Sequence, residues 1–111
     1  MRLTSEMFAA YVVRRVFADG GFAAVLRRGA EAAGAMFFTL RERDGSIRLL
    51  CPAPQSLADE KGDRRFLMEA IADEDKLEQR FAREARFDPD FWVVELETDQ
   101  PERYLTIVPG D

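Results

Sequence analysis

The dipeptide Asp44-Gly45, set between two apolar runs, constrains this chain more than any other feature. Residues 35–43 contain Met36, Phe37, Phe38 and Leu40, and residues 46–51 contain Ile47, Leu49, Leu50 and Cys51. Asp-Gly between such segments is a strong β-hairpin signal, because a tight two-residue turn asks for positive φ at both central positions. A two-residue loop predicts that Arg43 pairs with Ser46, Leu40 with Leu49 and Phe38 with Cys51. In that register Met36, Phe38, Leu40, Ile47, Leu49 and Cys51 share one face. Arg41, Arg43 and Arg48 share the other with Phe37, Thr39 and Leu50, and Arg41 stands directly across from Arg48.

Elements on either side follow from periodicity and punctuation. A helix is predicted over residues 5–18, capped by Thr4 or Ser5, with Phe8, Val12 and Val16 at i, i+4 spacing and Asp19-Gly20-Gly21 closing it. Residues 22–28 read as a strand, and 29–34 as a short connection bounded by glycines. Pro52 and Pro54 stop the hairpin's second strand, since proline cannot donate to a ladder. Residues 52–63 read as a loop. Residues 64–71 suit a fourth strand, although Leu67, Met68, Glu69 and Ala70 would also fit a helix. A second helix starts near Asp73 or Asp75, buries Leu77, Phe81 and Ala85, and ends about Phe87, because Pro89 disfavours helical geometry at Asp88. Residues 91–97 form a clear strand. The tail, 99–111, carries a β-like run from Tyr104 to Val108 that either pairs or frays. Short sequential connections favour neighbouring antiparallel strands. The expected fold is α+β: one domain over residues 1–111, with a mainly antiparallel sheet of four to five strands and two helices packed on one face.

Composition narrows the chemistry. The 111 residues include no histidine and a single cysteine. The commonest general base and metal ligand is therefore missing, and so is any Ser-His-Asp or Cys-His arrangement. A structural zinc site within one chain is excluded on the same count. Cys51 cannot form an intramolecular disulfide, no secretory leader is evident, and no apolar run approaches membrane-spanning length. The cytoplasm is the default expectation, with no membrane and no cofactor. Net charge is −5. It is unevenly spread: residues 1–55 hold eight arginines against five acids, and residues 56–111 hold eight basic residues against sixteen acids.

The segments REARFDPDFWVVE (83–95), VRRVFADGGFAAVLRR (13–28) and RLLCPAPQ (48–55) together resemble a family of small alphaproteobacterial proteins classed only as a domain of unknown function. The resemblance covers almost the whole chain. It implies a bacterial cytoplasmic protein and brings no functional residues with it.

Four constellations carry possible chemistry. Arg41, Arg43 and Arg48 form a candidate anion or partner patch, since like charges across strands call for compensation; neighbouring acids such as Glu42 or Glu31 would supply it equally well. Glu95, Glu97 and Asp99, with Asp88 and Asp90 upstream, line one strand face that suits a hard cation or a basic partner, or plain solvent. Cys51 lacks an activating histidine or helix N-terminus and reads as a small buried hydrophobe. Arg27-Arg28-Gly29 with Gly34 does not make a phosphate loop, and turn chemistry accounts for those glycines. The preferred reading is a non-catalytic protein-interaction domain, pairing with an unknown protein or with itself. Anion or nucleic-acid binding through the arginines comes second, disfavoured by the acidic whole. An enzyme using carboxylates alone comes third.

Overall fold

The computed structural model describes residues 3–54 and 64–110. Helix α1 spans Ser5–Ala18 and is capped by the Thr4 side chain, which accepts from the Met7 amide. Six strands follow: β1 Phe22–Arg27, β2 Met36–Arg41, β3 Ile47–Pro52, β4 Arg65–Ile71, β5 Trp92–Glu97 and β6 Thr106–Ile107. Helix α2, Glu74–Phe87, lies between β4 and β5, and a short 3₁₀ helix, Pro101–Arg103, precedes β6. Asp73 caps α2 by accepting from the Lys76 amide. The 65–71 segment is thus a strand. The loop expected over 52–63 falls largely on 55–63, outside the described residues.

The sheet runs β1-β5-β2-β3-β4-β6, six strands against the four to five expected, and is mixed: three of its five pairings are antiparallel and two are parallel. β5 pairs antiparallel with β1 and parallel with β2; β6 pairs parallel with β4. The tail is therefore tied into the sheet through β6, with Tyr104 and Leu105 buried. Sequential reading finds the strand β5 but not its place, because it enters between β1 and β2, which lie next to each other in the chain but not in the sheet.

The helices cover opposite faces instead of sharing one. α1 places Ala9, Val12 and Val16 on Met36, Phe38, Leu40, Leu50, Trp92, Val94 and Leu96. α2 places Leu77, with Phe81 and Ala85 beside it, on Phe37, Ile47, Leu49, Phe91 and Val93. The physical reason is in the burial of β2, where Met36 to Leu40 are all buried. A strand apolar at both odd and even positions needs cover on both sides.

The hairpin register also differs from expectation by one residue. Phe38 pairs with Leu50, Leu40 with Arg48 and Arg41 with Ile47. Its loop has three residues, 43–45, closed by the Glu42 amide donating to the Ser46 carbonyl at 2.9 Å and the Gly45 amide to the Glu42 carbonyl at 3.1 Å. Gly45 adopts φ 90°, while Asp44 stays at negative φ and its carboxylate accepts from the Ser46 amide and hydroxyl. A two-residue turn would have needed Asp44 in the left-handed region too; a three-residue loop needs only the glycine there. Since side chains alternate, this single slip moves Ile47, Leu49 and Cys51 to the face opposite Phe38 and Leu40.

Glycine at 29 and 34 reflects close approach. A Cβ on Gly29 would lie 2.3 Å from the Asp90 carbonyl oxygen, and one on Gly34 would lie 2.5 Å from it. The Ala30 amide donates to that carbonyl, and the Trp92 indole donates to the Ala30 carbonyl at 2.9 Å. This loop anchors the start of β5.

Candidate functional site

The register slip separates the three arginines. Arg41 lies on the α2 side of the sheet; Arg48 projects from the α1 side; Arg43 sits in the exposed hairpin loop. Arg41 is gripped by acids. Its Nε and Nη2 donate to both oxygens of Glu74 at 2.8 Å, and its Nη1 meets Glu95. Arg48 forms an ion pair with Glu42 without an aligned hydrogen bond at its Nε. Arg43 makes no ion pair among the described residues. The hydrogen bonds to Glu74 raise the Arg41 pKa further, and the same contact holds the Glu74 carboxyl below the usual carboxylate range.

Of the acidic trio, Glu95 is bound to Arg41, while Glu97 and Asp99 are exposed. Arg41, Arg43, Glu97 and Asp99 meet in one polar cleft of about 620 Å³ at the carboxyl ends of the parallel pair β2 and β5. Tyr104 closes it from the far side, its hydroxyl donating to Asp19 at 2.6 Å, with the Arg103 guanidinium 3.5 Å from the same carboxylate. The hydrogen bond to Asp19 raises the Tyr104 pKa. With both signs of charge on its walls, the cleft gives neither an anion nor a cation a uniform field. Arg48 and Glu95 do not line it.

A second cavity, about 310 Å³, opens between α2 and the sheet towards β1. Leu26, Leu77, Phe81 and Val93 give it apolar walls, and Thr39 with the charged Arg27, Arg41, Glu74 and Glu78 completes the lining. Sequence reasoning placed Thr39 on the arginine face and gave it no role. The available signal was a lone hydroxyl inside the run Met36-Phe-Phe-Thr-Leu40.

Cys51 occupies neither cavity. It is half-buried on the α2 face, opposite Leu67 rather than Phe38. Its thiol donates to Glu69 at 3.2 Å, and Arg80 bridges Glu69 and Glu84 nearby. Burial, and then the hydrogen bond to Glu69, push this thiol up to about 12, so it is held as a thiol and not as a nucleophilic thiolate. Among the described residues, no group of three or more Cys, Asp or Glu is placed to hold a metal ion. No helix among them is long and apolar enough to cross a membrane.

The family described as "Protein of unknown function (DUF1491)" matches residues 3–106. The chain belongs to the DUF1491 family. A solution structure of an A. tumefaciens protein is 49% identical, with a TM-score of 0.85, covering 100% of this chain and 98% of that one. A crystal structure of a DUF1491 protein from Caulobacter crescentus CB15 is 30% identical with a TM-score of 0.75, covering 98% of this chain and 100% of that chain. An NMR structure of a DUF1491 protein from the same bacterium is 31% identical, again at 0.75, covering 98% and 99%. None of the curated proteins matches this DUF1491 chain.

Proposed function

We propose that this DUF1491 protein is a non-catalytic interaction domain that pairs with an extended protein segment along the free edge of β1. The supporting observation is the inequality of the sheet's two edges. One edge is β6, two residues long, beside the buried Tyr104 and Leu105. The other is the six-residue β1, whose Phe22, Val25 and Leu26 are 42%, 38% and 56% exposed. Phe17 of α1, itself exposed, packs edge-on against Phe22 with ring centroids 5.5 Å apart and widens the apolar border. A register shift between Val25 and Arg27 bulges the strand at Leu26. Free strand edges template pairing with another chain, and an apolar border supplies the side-chain contacts that make such pairing selective. The arginine trio offers less to an anion, because Arg41 is already held by two carboxylates and Arg48 points from the other face.

Self-pairing of two β1 edges is the simplest form of this function. The test is sedimentation velocity at low and high salt, alongside capture of bound proteins from a bacterial lysate, for the parent chain and for Phe22→Lys and Leu26→Lys. The expected result is an associated species or a captured protein with the parent and its loss in both variants. Identical behaviour of all three chains would remove the proposal.

A further inference from the structure

We propose that the cavity between α2 and the sheet is a binding site for a small, neutral, predominantly apolar molecule carrying one hydroxyl, carbonyl or amide group. Three observations converge on this ligand class. The first is size: about 310 Å³ falls within the range of small-molecule pockets. The second is the lining, where Leu26, Leu77, Phe81 and Val93 present hydrocarbon on several sides.

The third observation is Thr39. Its residue exposure is 0%, and its Oγ1 has no hydrogen-bond partner among the described residues. Buried hydroxyls are ordinarily satisfied, and leaving one unpaired is costly. Valine would fill the same volume without that cost, and every other residue from Met36 to Leu40 is apolar. Thr39 is one of the residues that line the cavity, which places this unpaired hydroxyl at its wall. The charges at the cavity decide against an ionic ligand. Arg27 and Arg41 stand against Glu74 and Glu78 in the lining, with Arg41 held by Glu74 at 2.8 Å and also by Glu95, and Arg27 donating to the Pro89 carbonyl, so the lining carries no net charge that would favour an ammonium or a carboxylate.

Amide-resolved NMR titration with benzyl alcohol tests the site, with benzoate and benzylammonium as charged analogues of similar shape. Benzyl alcohol is expected to give saturable shifts centred on Thr39, Leu77, Phe81 and Val93, with the charged analogues at least tenfold weaker. Thr39→Val should weaken benzyl alcohol about fivefold, in line with losing one neutral hydrogen bond, while melting at the same temperature as the parent or higher. Leu26→Trp, which fills the cavity from the exposed bulge, should abolish the shifts. Four results would overturn the proposal: shifts that are scattered or do not saturate, equal binding of the charged analogues, undiminished binding by Leu26→Trp, or a Thr39→Val chain that binds as well as the parent or fails to fold.

Discussion

On the α1 side of the sheet, three helical residues with essentially no exposure meet an almost continuous floor from Ala23 to Phe66, and Phe8 adds stacked and edge-on contacts to Phe66 and Phe38. On the α2 side, Leu77 is the helix's one buried residue, Phe81 and Ala85 are half-covered, and the helix ends are held by charge: Arg41 with Glu74 and Glu95 at one end, Arg80 with Glu69 and Glu84 further along. One face is sealed by close packing; the other is closed at its rim and leaves space beneath. Burial of apolar area dominates stability, whereas exposed ion pairs contribute little each. Stability should therefore concentrate on the α1 side, and freedom to accommodate something else on the α2 side.

The contrast can be broken most directly by truncating one aromatic on each face. Phe38→Ala removes a ring with 0% exposure and should cost about 3–5 kcal/mol in chemical denaturation. Phe81→Ala removes a half-buried ring bordering an existing cavity and should cost about half as much. Equal losses would show that the α2 face is as tightly built as the other.

Removing the rim charge gives a smaller effect with a distinctive pH dependence. Arg41→Met should cost about 1 kcal/mol or less at neutral pH, because Glu74 is largely exposed. The Glu74 carboxyl is held below its ordinary value in the fold, so its contribution is present above the unfolded-state value, about 4.3. It disappears as pH falls through the lower folded value. The gap between parent and variant should thus be full at pH 7 and narrow below pH 4.3, as followed by urea melts across that range. A gap that widens in acid would refute the assignment.

Cys51 provides the smallest readout. With its thiol raised to about 12, alkylation by iodoacetamide should be slow at pH 8 and accelerate only in strong alkali. The sign of the stability term is opposite to that of Glu74. The raised thiol favours the fold fully below the unfolded value, about 8.5, and that advantage is lost as pH rises towards 12. A thiolate absorbance complete by pH 9 would contradict the burial described here.

Much of this architecture is legible in residues alone, and the failures have specific causes. Thr4, Asp73 and Pro89 mark helix ends through local hydrogen bonding and sterics, and both helices fall where those signals place them. Asp44-Gly45 correctly announces a hairpin, yet the same pair serves a two-residue turn or the end of a three-residue loop. The choice between them carried Arg41 and Arg48 to opposite faces. The adjacent pair Phe37-Phe38 points to burial on both sides, which the assumption of helices on one face overrode. The insertion of β5 between β1 and β2 is a long-range pairing with no local signature. For the candidate sites, Arg41, Arg43, Glu97 and Asp99 converge in one cleft although the reading treated them as separate patches, because the parallel β2–β5 pairing brings their strand ends together.

That insertion has a bearing on synthesis. During translation, β1 and β2 emerge early, but each lacks the neighbour that joins it to the other until Trp92–Glu97 is made. Up to that moment the nascent chain holds one hairpin-based fragment and one orphaned helix–strand fragment, with Trp92 still absent from the seam. A ribosome stalled before Phe91 would therefore display two sticky pieces with nothing to clasp them, and β5 acts as the zip that joins them.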